Sequence, residues 1–361
     1  MMNDIYILSI NFGSTSTKFA VYNREENIFV ETVQHTAEEI AACHDILEQR
    51  EMRENTIFDA IKHKGFDINK ITAVVARGGL TPPLEGGTYI VEENMLAALT
   101  TERALKHATS LCTIVGYDIA KTIGVPCYTV DPSVTDEMEP VARLSGLEGV
   151  ERIPTFHALN QKAMARRRAA ELGKKYEELN FVVAHMGGGV TIGAHKHGRV
   201  IDVNNGLDGE GPFSPERTGS LPVCSVIDIC FSGLTKKEVT DKFIKKGGML
   251  SYIGTNDGRK AEEMALNGDE KAALVLDAMA YQVAKDIGAA AVVLKGQVDA
   301  IILTGGVAYS KYVTDRIKER VSWIADVSIY GGENEMLALT QGALRVILGE
   351  EKAKKFQYDR G

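Results

Sequence analysis

Two stretches of this chain share one grammar, and the repetition narrows the folds open to it. An apolar run at 5–10 passes into Asn11-Phe12-Gly13-Ser14-Thr15-Ser16-Thr17-Lys18. A second run at 19–22, a polar turn at 23–27 and a third run at 28–33 follow. Residues 181–203 repeat the order: an apolar run, then Met186-Gly187-Gly188-Gly189, a return run at 190–196, a turn at His197-Gly198 and a run at 199–203. Further on, each half carries an apolar strand that empties into paired glycines. One is 71–76 before Arg77-Gly78-Gly79, the other 300–304 before Gly305-Gly306. A repeat of this length is a duplicated domain; a solenoid would repeat every 20–50 residues or so. Glycine turns between strands expose backbone N–H groups to an anion. The first turn is no P-loop, because that motif needs a second glycine before the lysine and a helix after it. Here Lys18 leads into alternating Phe19, Val21 and Tyr22.

Strands alternate with helical stretches at 101–123, 158–172, 236–245, 271–294 and 336–348, the pattern of an α/β architecture. At 361 residues, two domains are expected. The reading divides the chain into 1–153 plus 333–361, an acid- and phosphoryl-binding lobe rejoined by the last helix, and 154–332, a nucleotide-binding lobe.

The 44% apolar and 25% charged content fits a soluble globular protein, and a net charge of −8 argues against a general nucleic-acid or membrane binder. Arg166-Arg167-Arg168 reads as the solvated face of a helix. The apolar run after the N-terminus is too short for a signal peptide, and no stretch reaches membrane-spanning length. Five cysteines without metal or redox spacing point to incidental thiols, and a cytoplasmic location is expected.

Eight strings in order give the chain a resemblance to the acetate kinase branch of the acetate-and-sugar-kinase, Hsp70 and actin superfamily. They are INFGSTSTK at 10–18, ARGG at 76–79, VDPSVTDEM at 130–138, FHALNQKA at 156–163, AHMGGGVTIGAH at 184–195, PERTG at 215–219, LTGGVAYS at 303–310 and the run from Gly331 to Leu348. Within that branch the chain looks most like the butyrate kinases. The resemblance implies two ribonuclease-H-like (actin-like ATPase) domains with ATP in the cleft between them. It also implies Mg²⁺, a small carboxylic acid as the second substrate, and a homo-oligomer. The reaction would be butanoate + ATP = butanoyl phosphate + ADP. Around the nucleotide it places Gly13, Ser14, Thr15, Ser16 and Lys18 from the first turn, Gly187, Gly188 and Gly189 from the second, and Gly305, Gly306 and Val307.

A carboxylate is already a nucleophile, so the difficulty of making an acyl phosphate is electrostatic: two anions must meet. Fixed cations and hydrogen-bond donors are what such a site needs. Arg77 and Arg217 are the expected phosphoryl or carboxylate partners, with His157 and Asn11 as hydrogen-bond donors. Asp131 would orient the acid or organise Mg²⁺, and Asp202 and Glu333 are the other metal candidates. Acetate kinases carry a glutamate in the second-domain glycine loop where this chain has Tyr309, which moves the metal role elsewhere, with Glu333 as the guess. Each reading has a plainer rival: a helix-start histidine, surface ion-paired arginines, an aspartate that only caps a turn. His185, inside an apolar strand, is expected to be structural.

Isobutyrate, propionate and acetate stand as alternative substrates. A different class, a nucleotide-driven switch of the actin or Hsp70 kind, is opposed by the two phosphoryl-facing arginines. A sugar kinase lacks a convincing aspartate for activating a hydroxyl.

Overall fold

A computed structural model describes residues 4–357 apart from 102, 103, 105 and 106. It resolves into two compact units, Met1–Thr135 with Asn334–Gly361, and Asp136–Glu333.

The first unit is built on a seven-stranded sheet. Its strands are β1 (Tyr6–Phe12), β2 (Ser16–Asn23), β3 (Glu26–Gln34), β4 (Ile71–Ala76), β5 (Thr88–Ile90) and β6 (Cys127–Val130), plus a short strand at Lys354–Lys355. The order runs Lys354–Lys355, β5, β6, β4, β1, β2, β3. β1 to β3 form an antiparallel meander, while β4 lies parallel to β1 and β6 parallel to β4. Strand β4 reads as a continuous apolar run because helices cover its sheet. The helix Ala108–Ile123 and the β strands share one apolar core containing Leu8, Ile10, Val74, Leu111 and Val115. The expected helix at 101–123 is therefore present from Ala108; residues 102, 103, 105 and 106 lie outside the described residues. The last helix, Glu335–Ile347, packs on the first unit's sheet, with Ser9 Oγ 2.7 Å from Thr340 Oγ1.

The second unit holds the two-stranded hairpin β7 (Leu144–Leu147) and β8 (Val150–Glu151). Its main sheet contains β9 (Asn180–Met186), β10 (Val190–Lys196), β11 (Arg199–Val203), β12 (Ala300–Gly305) and β13 (Val327–Gly331). The order is β11, β10, β9, β12, β13, with β9 to β11 antiparallel and β12 and β13 parallel. This is the first unit's β3-β2-β1-β4-β6 arrangement strand for strand, so the duplicated grammar of the sequence is a duplicated topology. Its core lies largely under the 24-residue helix Glu270–Val293, which packs Leu276, Met279, Val283 and Ile287 on Val182, Ala184, Ile301 and Leu303.

One boundary needs correction. Residues 136–153, expected with the first lobe, group with the second unit. Glu137 forms a buried ion pair with Lys162 at 2.9 Å and accepts from Val200 N–H; Glu139 N–H donates to Ile201 C=O; and Arg152 bonds Asp202 and Glu210. These tethers join positions distant in sequence, and no local pattern announces them. Lys162 and Glu137 are 2% and 4% exposed, so removing one partner strands a buried charge. Lys162→Met is expected to cost about 3–5 kcal/mol in urea denaturation; a loss under about 1 kcal/mol would mean the pair is dispensable.

The arginine run behaves as a solvated, paired face. Arg167 and Arg168 bond Glu171, and Arg166 and Arg167 lie over the rings of Tyr176 and Tyr330. Burial pushes the Cys112 thiol up to about 12 and raises that of Cys127 as well, and all five cysteines are free thiols. No helix among the described residues is long and apolar enough to cross a membrane.

Candidate functional site

In the first unit three strand ends and one helix start bring polar groups together. The β1–β2 turn is closed by Gly13 N–H donating to Ser16 C=O at 3.0 Å. Beneath it lies Arg53, fully buried on the helix Gln49–His63, which donates to the carbonyls of Ser14 (3.0 Å) and Ser16 (2.8 Å). Thr15 C=O is taken by His35 N–H. With the Ser14 carbonyl held by Arg53, the trans Ser14–Thr15 peptide aims the Thr15 N–H the other way. The N–H groups of Ser14 and Thr15 donate to nothing among the described residues. Turn N–H groups of this kind are open to an acceptor. Lys18, on β2 opposite Asn11, forms no ion pair among the described residues.

Arg77 follows β4. Its N–H donates to Ile10 C=O and its C=O accepts from Thr113 Oγ1, so the backbone is fixed on both sides. Gly79 is required here because a Cβ would lie 2.5 Å from Ser110 Cα, the start of the helix that packs against the strand. The Arg77 guanidinium forms a short ion pair with Glu335, and Asn11 Nδ2 donates to the same carboxylate at 2.5 Å. Glu335, the first residue of the last helix, was missed in the sequence: the GGENE run offers two glutamates, and the expectation settled on Glu333. Arg53 was missed too. A signal existed, since Gln49, Arg53, Ile57 and Ile61 form the buried four-residue stripe of their helix, and a charge at a core position calls for explanation.

Asp131 ends β6 in a left-handed backbone conformation (φ 37°) that non-glycine residues seldom adopt. It is held there by exchange with Gly87: Gly87 N–H donates to Asp131 Oδ1 at 2.7 Å, and Asp131 N–H to Gly87 C=O at 3.1 Å. Such over-determined strain clusters at functional positions. The exchange with Gly87 bears out the turn-holding reading of Asp131.

The second unit holds a cavity of about 490 Å³, within the range of small-molecule sites. Gly187 and Gly188 line it, as do Gly306 and Val307, with Met249, Leu276, Met279 and Val313 as an apolar wall. Tyr309, three-quarters exposed, stands at the same cavity. Gly189 and Gly305, expected at the nucleotide, are not lining residues. Gly305 has φ +88° and a Cβ there would sit 2.4 Å from Met186 C=O, so it lets the ends of β12 and β9 approach. Gly189 lies against Arg217, whose Nη1 would be 2.5 Å from an added Cβ.

Arg217 donates through Nη1 to Gly206 C=O at 2.6 Å, and its own N–H goes to Ser214 Oγ, which in turn donates to Gly188 C=O at 2.6 Å. Its Nε is buried and has no hydrogen-bond partner among the described residues. An orphaned buried donor calls for an outside acceptor, water or a ligand oxygen, as the buried Nε of Arg168 also does.

His157 starts the helix Ala158–Glu171, with Nδ1 3.0 Å from Thr191 Oγ1 and its ring stacked on His185 at 3.7 Å. His185 is buried as expected, but it is more than filler. Its Nδ1 is 2.7 Å from Asn160 Oδ1, and its Nε2 is 2.8 Å from a Glu333 oxygen.

The three metal candidates each have a separate partner. Glu333 sits against His185, Asp131 against Gly87 N–H, and Asp202 is ion-paired to Arg152 at 2.9 Å beside a different cavity of about 260 Å³. Among the described residues no group of three or more His, Cys, Asp or Glu is arranged to hold a metal.

The chain resembles several solved structures across its length. It aligns with acetate kinase from Porphyromonas gingivalis at 19% identity and a TM-score of 0.76, covering 95% of this chain and 100% of that one. A propionate kinase from Francisella tularensis subsp. tularensis SCHU S4 matches at 19% and 0.73, covering 94% and 98%. Acetate kinase from Entamoeba histolytica matches at 16% and 0.71, covering 93% and 98%. At such identities the likeness fixes the fold, two domains of the acetate and sugar kinase type. A sequence profile of the acetokinase family matches residues 144–353, more than half the chain. Together with the duplicated sheet topology, that match leads to one conclusion: the chain belongs to the acetokinase family of ATP-dependent carboxylate kinases.

Proposed function

We propose that the chain is a butyrate kinase, transferring the γ-phosphoryl group of ATP directly to butanoate. The observation that carries the phosphoryl-transfer part is Arg217: a half-buried guanidinium with a buried, unsatisfied Nε, tied through Ser214 to the glycine turn that lines the 490 Å³ cavity. The cavity's apolar wall suits the base and ribose, and Gly187 and Gly188 leave room for phosphates to approach backbone. In the first unit, the free N–H groups of the Ser14–Thr15 turn, Lys18, Asn11 and Arg77 supply donors and positive charge for anionic groups. His157 would donate to a phosphoryl oxygen. The acid attacks without a strong base, so these groups act by orientation and by stabilising charge on the transferring oxygens.

The residues fit Mg²⁺ as well. That ion takes hard oxygens, retains waters and uses one or two carboxylates plus substrate phosphates, so a dedicated cage is not expected. Glu335 and Asp131 offer carboxylate oxygens at strand and helix ends of the first unit, and the bound ion would neutralise phosphate charge. Asp202 has its charge answered by Arg152, and is better read as holding 136–153 to the second unit's sheet.

The choice of butyrate rests on ARGG and on the loss of the glycine-loop glutamate at Tyr309, both as in the butyrate kinase pattern. One methylene changes discrimination by only about 1–3 kcal/mol, so the test must compare chain lengths. With ATP, hydroxylamine and each of acetate, propionate, butyrate and isobutyrate, acyl hydroxamate should form with kcat/KM highest for butyrate. A preference for acetate would reverse the substrate assignment. ATP loss with no trapped acyl group would favour the nucleotide switch.

A further inference from the structure

The second unit contains a continuous chain of buried polar side chains that ends on His157. Tyr176 OH is 2.7 Å from His195 Nδ1, and His195 Nε2 is 3.0 Å from Gln161 Oε1. Gln161 Nε2 donates to Thr191 C=O at 3.0 Å and to Thr191 Oγ1 at 2.9 Å, and Thr191 Oγ1 is 3.0 Å from His157 Nδ1. Gln161, His195 and Thr191 are fully buried, and Tyr176 is nearly so.

The chemistry of each group fixes the direction of the bonds as far as Thr191. Gln161 uses its amide nitrogen on Thr191, so its oxygen faces His195 and can only accept. His195 must therefore carry its proton on Nε2, which leaves Nδ1 as an acceptor for the Tyr176 hydroxyl. At the other end, Thr191 Oγ1 accepts from the amide, keeps a second lone pair and carries one proton, so it can meet His157 Nδ1 as acceptor or as donor. Where the hydroxyl donates, Nδ1 accepts and a neutral His157 holds its proton on Nε2. A flipped Gln161 would place NH₂ against His195 and a carbonyl oxygen against Thr191 C=O, an acceptor facing an acceptor.

We propose that the Tyr176–His195–Gln161–Thr191 relay is a positioning device for the phosphoryl transfer: it sets His157 in the Nε2–H form, so that this ring nitrogen donates to a phosphoryl oxygen. The four residues touch no reacting atom themselves. Their effect passes through Thr191 Oγ1, which lies 3.0 Å from His157 Nδ1. The sequence hints at the arrangement, because in FHALNQKA residues 157 and 161 are four apart and share a helix face. The roles of Gln161, Thr191, His195 and Tyr176 appear only when the helix is laid against β10. The proposal rests on His157 acting as a donor to phosphate, as described above, but the tautomer itself is measurable without activity.

The test uses the full chain with ¹⁵N-labelled histidine, the His157 signals being identified by their loss in His157→Gln. At alkaline pH, where the imidazoles are neutral, wild-type His157 is expected to carry its proton on Nε2. A proton on Nδ1, or an even mixture, overturns the proposal. Thr191→Val keeps the shape but removes the hydroxyl. It should allow both tautomers and lower kcat about 10- to 100-fold, with KM for ATP and for butyrate little changed. Thr191→Ser should restore both the signal and the rate. A fall in kcat with the tautomer unmoved, or no rescue by serine, would reduce the relay to ordinary packing. If the tautomer is as stated but His157→Gln turns over at the wild-type rate, the relay stands and the phosphoryl role of His157 fails.

Discussion

Replacing Arg217 by alanine is expected to lower kcat by about 10³ to 10⁵, the range for an arginine that meets transition-state phosphoryl charge. Folding should survive, because the backbone at this position is held by its own bonds to Ser214: Arg217 N–H to Ser214 Oγ at 3.0 Å and Ser214 N–H to Arg217 C=O at 3.0 Å. ADP binding should persist too, since the side chain is not among those lining the 490 Å³ cavity. Arg217→Lys keeps the charge but offers no Nε–H in a planar fork, and it should recover little of the loss. Arg77→Ala belongs to the same experiment. Its backbone is also clamped, by Ile10 and Thr113, and its side chain is the one cation on the Glu335 carboxylate among the described residues. Single-turnover rates with calorimetric ADP titration separate chemistry from binding. Near wild-type chemistry in either variant removes that arginine from the mechanism.

Much of the framework behind those arginines was legible in the residues. The runs 190–196 and 199–203 became strands β10 and β11 with those bounds, and the paired-glycine strands 71–76 and 300–304 fell at equivalent places in two sheets of the same order. Local pattern suffices there, because alternation and glycine turns are short-range signals. Through-space pairing is another matter. Nothing near Asp202 says that Arg152 will answer its charge, and nothing near Glu137 announces Lys162, although these two pairs carry 136–153 into the second unit. The relay on His157 was hidden for the same reason, its members lying on a helix, a short turn and one strand. The choice between Glu333 and Glu335 is of a different kind. The two lie two residues apart, Glu333 before the helix and Glu335 at its start, and only that observed start decides which carboxylate turns to Asn11 and Arg77.

That distinction supports the second large effect. Glu335→Gln keeps the size and one acceptor oxygen but removes the charge that Arg77 pairs with, and it sets an amide NH₂ against the Asn11 amide. If the Glu335 carboxylate also reaches Mg²⁺ or its waters, turnover should fall about 10²- to 10³-fold, and the Mg²⁺ concentration for half-maximal rate should rise. Loss of the ion pair with Arg77 alone would lower the rate without moving the metal titration, so the Mg²⁺ dependence separates the two roles. Glu333→Gln is the counterpart, because that carboxylate lies 2.8 Å from His185 in the other unit. Its Mg²⁺ titration should stay with the wild type. The reverse outcome, Glu333→Gln shifting the metal dependence while Glu335→Gln does not, would return the metal to Glu333 and leave Glu335 as an anchor for Arg77 and Asn11.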